Sequence, residues 1–479
     1  MKTLIPIVLL ASFSGLLAEE GKDFFSVSGS LGSFTKAGVN RSKINTEKGI
    51  YPTDSFSTLF GEVNTKYNFL TFIDSDYINR LSLGLGLSAG TLTWDSTRND
   101  GKTWTGNGLT SGSGLNNNYV GGWGGYFADR AYYYQDNRNF MVQNAYLDLG
   151  TKYFDFKGGR YESTMDYFSG YTQGFEANIH FKYGIKANNE AKIWWFSSYG
   201  RAFAYSEWFL DFYAPKSTLK DNGKRENYGI HAGGIDINYG EFAEFGSYKD
   251  GENLLVRPFV YFYPGLYEAP GLKIDYQKYF GNGYGVGFTL QGFGLHVRDK
   301  FTTAYDINNK RYDEKIDRWS GNINAILKAY LFEYNLRLGY YHNIGSANSH
   351  FGTYGNPLGF DFWTASVYDI GASISDVINR NAKTIYLSGG GDYNLEYGKF
   401  AWEILGRVTR SPRSDEESIA LSLSHLFSNN IKLGLKLEWF RDTTKVGYNP
   451  GATLPSSNAI ISKRTDDRSH AFITFDYFF

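Results

Sequence analysis

The side chains that most often carry out catalysis are scattered along this sequence. Its seven histidines stand at positions 180, 231, 296, 342, 350, 425 and 470. No H-E-x-x-H or G-x-S-x-G motif is present to pair a base with a metal or a nucleophile. The sequence has no cysteine, which excludes thiolate metal sites and a disulfide framework. The residues therefore predict that the protein is not an enzyme and needs no metal or cofactor.

Charged side chains instead recur at alternate positions within apolar stretches. In "IKLGLKLEW", residues 431–439, two lysines and a glutamate alternate with Leu433, Leu435 and Leu437. Charged groups that line a narrow aqueous passage sort solutes by the sign of their charge. The predicted basic wall of such a passage consists of Lys182, Lys273, Arg337, Arg407, Lys432 and Lys436.

Strands must position these groups, because the apolar pattern repeats every second residue from position 25 onward. In "LSLGLGLSA", residues 81–89, the leucines form one face and the serines and glycines the other. Eighteen strands are predicted, near 25–34, 57–69, 79–93, 141–150, 152–160, 174–184, 191–199, 228–238, 254–263, 271–279, 284–297, 319–329, 333–343, 384–394, 398–409, 416–426, 431–442 and 468–479.

The gaps between these strands alternate in length. Long gaps rich in Gly, Asn, Ser and Tyr follow odd-numbered strands, while most gaps after even-numbered strands are short, such as "GNG" and "LEYG". An antiparallel transmembrane β-barrel has this parity, with short periplasmic turns and long extracellular loops. Mean hydropathy is −0.39, yet alternating strands can span lipid because a closed sheet satisfies every backbone amide. The sequence predicts an all-β barrel of this kind.

The N-terminal stretch "MKTLIPIVLLASFSGLLAEE" has a lysine at position 2, an apolar middle and small residues before two glutamates. These are the features of a cleaved export signal. We expect residues 1–18 to be a signal peptide and residues 19–479 to form the barrel.

The C-terminal strand "SHAFITFDYFF" alternates aromatic and polar residues up to the last position. In a barrel with an even strand number the last strand pairs with the first. Phe475, Tyr477 and Phe479 are the residues expected to close the barrel. They also resemble the C-terminal signal that the barrel-assembly machinery reads in outer-membrane proteins.

The stretch "GGRYESTMDYFSGYTQGFEANIHF", residues 158–181, places a Gly-Arg at a strand end before a segment with an aspartate and a Thr-x-x-Phe-Glu-like return. It resembles the third-loop region of OprD-like porins and of the related Hof-type outer-membrane family. The resemblance implies an eighteen-stranded barrel whose third loop, here 161–173, folds inward. It assigns the pore constriction to Arg160, Glu162, Asp166, Tyr167, Tyr171 and Glu176. The prolines typical of that loop are absent here.

We therefore expect an outer-membrane porin, a passive diffusion channel for small hydrophilic solutes or ions. Its expected partners are outer-membrane lipid and lipopolysaccharide. The protein is expected to be a monomer or a homotrimer. Nucleic acid is excluded, because 48 Lys and Arg are balanced by 49 Asp and Glu. The alternative is a surface adhesin or receptor whose barrel anchors extracellular loops, since the long loop 94–140 is dense in Tyr, Trp and Gly.

Overall fold

The computed structural model describes residues 24–42, 52–73, 75–96, 139–186, 188–213, 218–219, 225–241, 250–298, 317–345, 375–448 and 463–479. The expected signal peptide at 1–18 and nearly all of the loop at 94–140 lie outside these residues. The described part of that loop shows one strand ending at Asp95 and the next beginning at Phe140.

Strands make up almost all of the described chain. They are β1 (Phe25–Gly38), β2 (Phe56–Asn68), β3 (Ile78–Asp95), β4 (Phe140–Thr151), β5 (Phe154–Met165), β6 (Phe168–Lys182), β7 (Glu190–Ala204), β8 (Phe209–Tyr213), β9 (Thr218–Leu219), β10 (Arg225–Glu226), β11 (Ile230–Glu241), β12 (Asp250–Tyr263), β13 (Tyr267–Phe280), β14 (Tyr284–Val297), β15 (Trp319–Leu331), β16 (Tyr334–Ile344), β17 (Lys383–Leu395), β18 (Gly398–Arg410), β19 (Ser414–Phe427), β20 (Ile431–Thr444), β21 (Arg464–Asp467) and β22 (His470–Phe478). Two 3-10 turns also occur, at Phe69–Phe72 and Asp376–Ile378. None of the helical segments described is long and apolar enough to cross a membrane.

Eighteen of the described strands close into one antiparallel barrel. β8 and β21 are short additions that pair with one neighbour each, and β9 and β10 pair only with each other. The barrel closes where β22 pairs with β1, from Phe478 opposite Ser30 to His470 opposite Gly38. The backbones of Gly29 and Phe479 exchange two further hydrogen bonds, of 2.9 and 3.1 Å. The predicted closure by the last strand is confirmed, so the first and last strands are not left as open edges.

The two faces of the wall have opposite character. On β3, Leu85 and Leu87 are 43% and 60% exposed on the outside, whereas Ser82 and Ser88 are buried on the inside. Soluble proteins hide such apolar rows in a core. An exposed apolar row around the outside and a polar inside are what a wall surrounded by lipid requires. The fold class predicted from the alternation is thus confirmed.

The barrel has two rims, which we name by what they carry. The terminal rim holds both ends of the described chain, Phe24 and Phe479, and short connections such as the one between β17 and β18. The loop rim holds the long connections, such as the one between β16 and β17. The predicted parity of the connections is therefore present. Each of the eighteen predicted strands coincides with a barrel strand.

The segment 161–173, expected to be a loop, differs. Here β5 continues to Met165 and β6 begins at Phe168, so only Asp166 and Tyr167 form the turn. The two strands pair through the whole segment, up to Met165 opposite Phe168. The polar and glycine-rich composition indicated a loop, but backbone pairing between the two arms makes it a hairpin. A hairpin satisfies its own amides wherever it lies.

The lipid-facing assignment predicts an asymmetric response to charge on β20. We expect Leu437→Arg to destabilise the barrel by about 2–4 kcal/mol, because an arginine near the middle of the lipid face is costly there. Lys436→Arg, one residue away on the lumen face, is the matched control and should change stability little. Urea unfolding of protein refolded into lipid vesicles measures both. Equal effects of the two substitutions would contradict the assignment of faces.

Candidate functional site

The hairpin of β5 and β6 leaves the barrel wall at a pair of glycines. Gly159 lies directly opposite Gly174 in the hairpin register. Pairing between β4 and β5 ends one residue later, at Arg160 opposite Ala145. Gly159 has φ +122°, and a Cβ there would lie 2.1 Å from the Ala145 carbonyl oxygen. A Cβ on Gly174 would lie 1.9 Å from the Ser197 carbonyl oxygen. Only glycines permit this bend.

Beyond the bend, the hairpin forms a small sheet inside the barrel. β6 continues to pair with β7 as far as Tyr171 opposite Ala202, and β8 pairs with the end of β7. β7 pairs with its wall neighbour β11 only up to Ser198, opposite Ile230. The ends of three wall strands, together with β8, therefore turn inward as one unit. We call this unit, residues 160–173 and 199–213, the inner sheet.

The tip of the inner sheet is fastened to the inside of a wall that is not its neighbour. Asp166 accepts hydrogen bonds from Arg257 Nη1 at 3.0 Å, Lys273 Nζ at 3.0 Å and Gln291 Nε2 at 3.2 Å. These three residues lie on β12, β13 and β14. Arg257 in turn donates to both carboxylate oxygens of Asp236, at 2.7 and 2.8 Å. The turn is therefore held by a connected ionic network.

Aromatic packing reinforces the same contact. Tyr167 is buried against Phe259, Tyr261 and Phe293, with ring centroids 5.7, 5.7 and 5.2 Å away. Two of these contacts are edge-on, which is the favourable arrangement of aromatic pairs. Burial raises the pKa of Tyr167 well above its ordinary value, so the phenol stays neutral.

The other side of the inner sheet contacts β2. Thr58 donates to the Ser206 carbonyl at 2.7 Å, and the rings of Phe60 and Phe209 are 6.3 Å apart. The inner sheet thus reaches from β2 to β14 and divides the barrel interior at this level.

Two carboxylates face each other on the β2 side. The Tyr205 hydroxyl donates to Glu162 at 2.8 Å, and the Tyr171 hydroxyl lies 3.5 Å from a Glu62 oxygen. Glu62 and Glu162 are close enough to repel each other electrostatically. Neither forms an ion pair within the described ranges. At the tip, by contrast, the cations Lys192, Arg257 and Lys273 outnumber the two aspartates they contact.

A second segment also folds against the inside of the barrel. Ser375 and the 3-10 turn after it are buried on the inner face of β16 and β18 to β20. Arg413 Nε donates to Asp376 at 2.7 Å, and Asn343 Nδ2 donates to the Val377 carbonyl at 2.7 Å. Burial alone would raise the pKa of Asp376, but Arg413 and two serine hydroxyls lower it below its ordinary value. The segment is held as an ion-paired strap.

The structure brings together most of the predicted constriction residues. Glu162, Asp166, Tyr167 and Tyr171 all lie on the inner sheet. Arg160 stands at the bend, where it donates to Gln173 at 3.1 Å and stacks on Phe212 at 4.3 Å. Glu176 lies on the wall just beyond the bend, opposite Lys157.

The predicted basic wall does not form one surface. Lys273 reaches the hairpin tip, and Arg337 faces inward on β16 beside Lys328. Lys182 lies at the end of β6 on the terminal rim, and Lys432 lies near that rim on β20, opposite Asp476. Lys436 pairs with Glu438 at 2.7 Å.

Arg407 is a correction to that wall. It lies on the predicted inner face but is buried beneath the strap, with Glu416 at 2.6 Å and Ser375 at 2.9 Å. It therefore anchors the strap and does not line an open passage. The reason is tertiary, because the covering residues come from a distant loop.

Sequence reasoning missed Arg257, Asp236 and Gln291. A signal was present for Arg257, since it falls between Val256 and Pro258 in the opposite phase to the apolar row. The described residues contain no group of three His, Asp or Glu side chains placed to hold a metal ion. What the arrangement offers chemically is a narrowed passage with fixed charges of both signs.

Comparison with known proteins agrees with this fold. A family model described as "Putative outer membrane protein" matches residues 7–479. No curated protein matches the chain by sequence. Acinetobacter baumannii OccAB4 superposes with TM-score 0.57 at 11% identity, covering 96% of this chain and 100% of its own. Pseudomonas aeruginosa OccK9 (OpdG) gives 0.58 at 10%, covering 96% and 99%. Pseudomonas aeruginosa OprD gives 0.54 at 9%, covering 96% and 97%. The resemblance to OprD-like porins is confirmed at the level of the fold.

The glycine bend predicts a position-specific response to a single methyl group. We expect Gly159→Ala to cost about 1–3 kcal/mol, because alanine must adopt a strained positive φ against a carbonyl oxygen. Gly389→Ala is the matched control, since a Cβ there has no neighbour closer than 3.7 Å. The folded fraction on unheated gels, as a function of urea, reports both. A loss of the same size in the control would contradict the bend.

The ionic tip predicts a change in conductance when its charge is removed. In Asp166→Asn we expect noisier open-channel current, because Arg257 and Lys273 lose their shared counter-ion. We also expect the cation-to-anion permeability ratio to fall on the order of twofold. Asp392→Asn removes a lumen carboxylate near the terminal rim, paired with Lys399 at 3.0 Å, and serves as the control. Planar-bilayer recordings in which both variants behave like wild type would contradict the assignment of the hairpin tip to the constriction.

Proposed function

The chain belongs to the family of outer-membrane proteins whose model matches residues 7–479, and on that premise we propose that it is a passive diffusion channel for small hydrophilic solutes or ions. Its place is the outer membrane, where the barrel spans the lipid. Transport runs down the concentration gradient and uses no cofactor and no covalent step.

The observation that carries the proposal is the inner sheet. An eighteen-stranded barrel is wider than its own wall side chains can fill, since barrels of about eight strands are already filled by them. The ends of β5 to β7 fold inward and narrow that interior, while the remaining parts of these strands stay in the barrel wall. Fastening the tip by Asp166 gives the narrowing a defined position.

The charges around the inner sheet suggest how solutes are sorted. Glu62 and Glu162 lie on one side of it, without ion pairs in the described part of the chain. The side at the tip has an excess of one positive charge among Lys192, Arg257, Lys273 and their aspartates. Fixed charges of opposite sign across a narrow passage orient dipolar solutes and select ions by sign. We infer that these charged side chains on the two sides of the inner sheet form the selectivity filter.

Export and assembly complete the proposal. Residues 1–18 would direct the chain across the inner membrane. The barrel-assembly machinery would read the terminal aromatics Phe475, Tyr477 and Phe479, two of which form the exposed row at the closing seam.

The alternative function, an adhesin or receptor, rests on the loop 94–140, which lies outside the described residues. Purified protein in a planar bilayer distinguishes the two. A channel gives discrete conductance steps, and a barrel that only anchors loops gives none. Liposome swelling with sugars, amino acids and peptides of increasing size then identifies the solutes.

The field predicts which carboxylates set ion preference. We expect Glu62→Gln combined with Glu162→Gln to lower the cation-to-anion permeability ratio by about fivefold, because two negative charges that attract cations are removed from the β2 side of the passage. Glu403→Gln, a lumen carboxylate on β18 away from the inner sheet, is the control. Reversal potentials under a salt gradient measure the ratio. If the double variant matches wild type while conductance steps persist, the channel stands but the filter is elsewhere.

A further inference from the structure

A row of basic side chains crosses three adjacent strands on the outside of the barrel, at the loop rim. His342 on β16 lies directly opposite Lys383 on β17, and Lys383 lies directly opposite Arg410 on β18. Each is within two residues of the strand end at that rim. We call these three residues the basic row.

The basic row faces outward, toward lipid. Two residues farther from the rim on each strand stand Tyr340, Ile385 and Val408, which share its face and are exposed, Ile385 to 58%. Side chains at i and i+2 of a strand point to the same face. On β17 and β18 the row therefore lies about 7 Å beyond the last apolar side chains, since a strand rises about 3.4 Å per residue. On β16 the exposed Ile344 lies two residues beyond His342. Beyond the apolar band of a transmembrane barrel, the hydrocarbon gives way to lipid headgroups.

The pairing within the row is unfavourable by itself. Side chains directly opposite each other on antiparallel strands have Cβ atoms about 4.5–5.5 Å apart, and like charges in such pairs destabilise the sheet. Lys383 has a cation beside it on one side and a histidine on the other. No carboxylate forms an ion pair with Lys383 in the described ranges. An external anion seated between the strands would remove the repulsion.

Among the described residues near the row, Asp317 pairs with Arg380 at 2.7 Å, and the other carboxylates lie beyond Arg410. Arg410 contacts Glu417 at 3.1 Å and Asp415 at 3.7 Å, and Asp415 also contacts Lys445 at 2.9 Å. These acids neutralise the β19 side of Arg410 and leave the side toward Lys383 basic. The positive charge is thus concentrated over β16 and β17.

Other parts of the loop rim differ on their outer face. On β3, on β4 and before β11, the described positions near this rim are the exposed aromatics Trp94, Phe140 and Tyr228. Aromatic rings are the usual occupants of the membrane interface. A basic row in their place marks this sector of the wall for an anionic contact.

We propose that the basic row is a binding site for the phosphate of a phosphorylated outer-leaflet lipid. Arg410 and Lys383 would hold the phosphate oxygens by charge-assisted hydrogen bonds. The acyl chains would lie along Tyr340, Ile385 and Val408. The site rests on the outer-membrane location and not on channel activity.

The test measures lipid retained by the folded barrel. Purified protein in detergent is titrated with bisphosphorylated lipid A and with its dephosphorylated form, and bound lipid is counted by native mass spectrometry. Wild type should prefer the phosphorylated form. Lys383→Gln should weaken that binding about fivefold, and Lys383→Arg should restore it. Channel conductance should remain that of wild type, because the row faces away from the lumen.

Lys278→Gln is the matched control, the same change on the outer face of β13 at the terminal rim. Three outcomes would overturn the proposal. The dephosphorylated lipid could bind equally well, the control could lose as much binding as Lys383→Gln, or the wild type could retain a second barrel that Lys383→Gln releases. The last result would assign the row to contact between copies of the chain. If the wild-type protein gave no conductance steps, the proposed channel function would be refuted, but the lipid-binding proposal would be unaffected.

Discussion

Pairing of every backbone amide is the constraint on which this structure depends. Lipid offers no hydrogen-bond partners, so a sheet in it must close upon itself. The closing pair is β22 with β1, extended by the hydrogen bonds between Phe479 and Gly29. Once the sheet is closed, alternate side chains meet lipid or lumen, and the apolar outer rows and polar inner rows follow.

The inner sheet obeys the same constraint inside the barrel. Because β5 and β6 stay paired up to the turn at Asp166, the segment enters the lumen without leaving unsatisfied amides. The turn toward the lumen is possible only because Gly159 and Gly174 lie opposite each other at the bend. Backbone pairing makes the element rigid, and the glycine pair sets its direction.

Ion pairs then fix where the inward elements rest. Asp166 fastens the inner sheet to β12 and β13, and Asp376 with Arg413 fastens the strap. Buried ion pairs add little net stability, because desolvation offsets their attraction, but a missing partner is costly. Their effect here is to define position. A channel of fixed dimensions depends more on the defined position of its inward elements than on additional stability.

The sequence by itself determined the local features. Alternation reports the surroundings of each residue, so it identified all eighteen wall strands, their two faces and the closure by Phe479. It also placed Lys273 on the lumen side, whereas Asp166 was assigned to the constriction by the resemblance to OprD-like porins. Which lumen charges meet was decided only by the tertiary structure. Asp166 and Arg257 are 91 residues apart, and they pair because the bend at Gly159 aims the hairpin across the barrel. Arg407 is buried for a similar reason, since the strap that covers it comes from the loop between β16 and β17. Period-two patterning carries no information about such crossings, because they depend on the path of the chain through the interior and not on the strand that bears the residue.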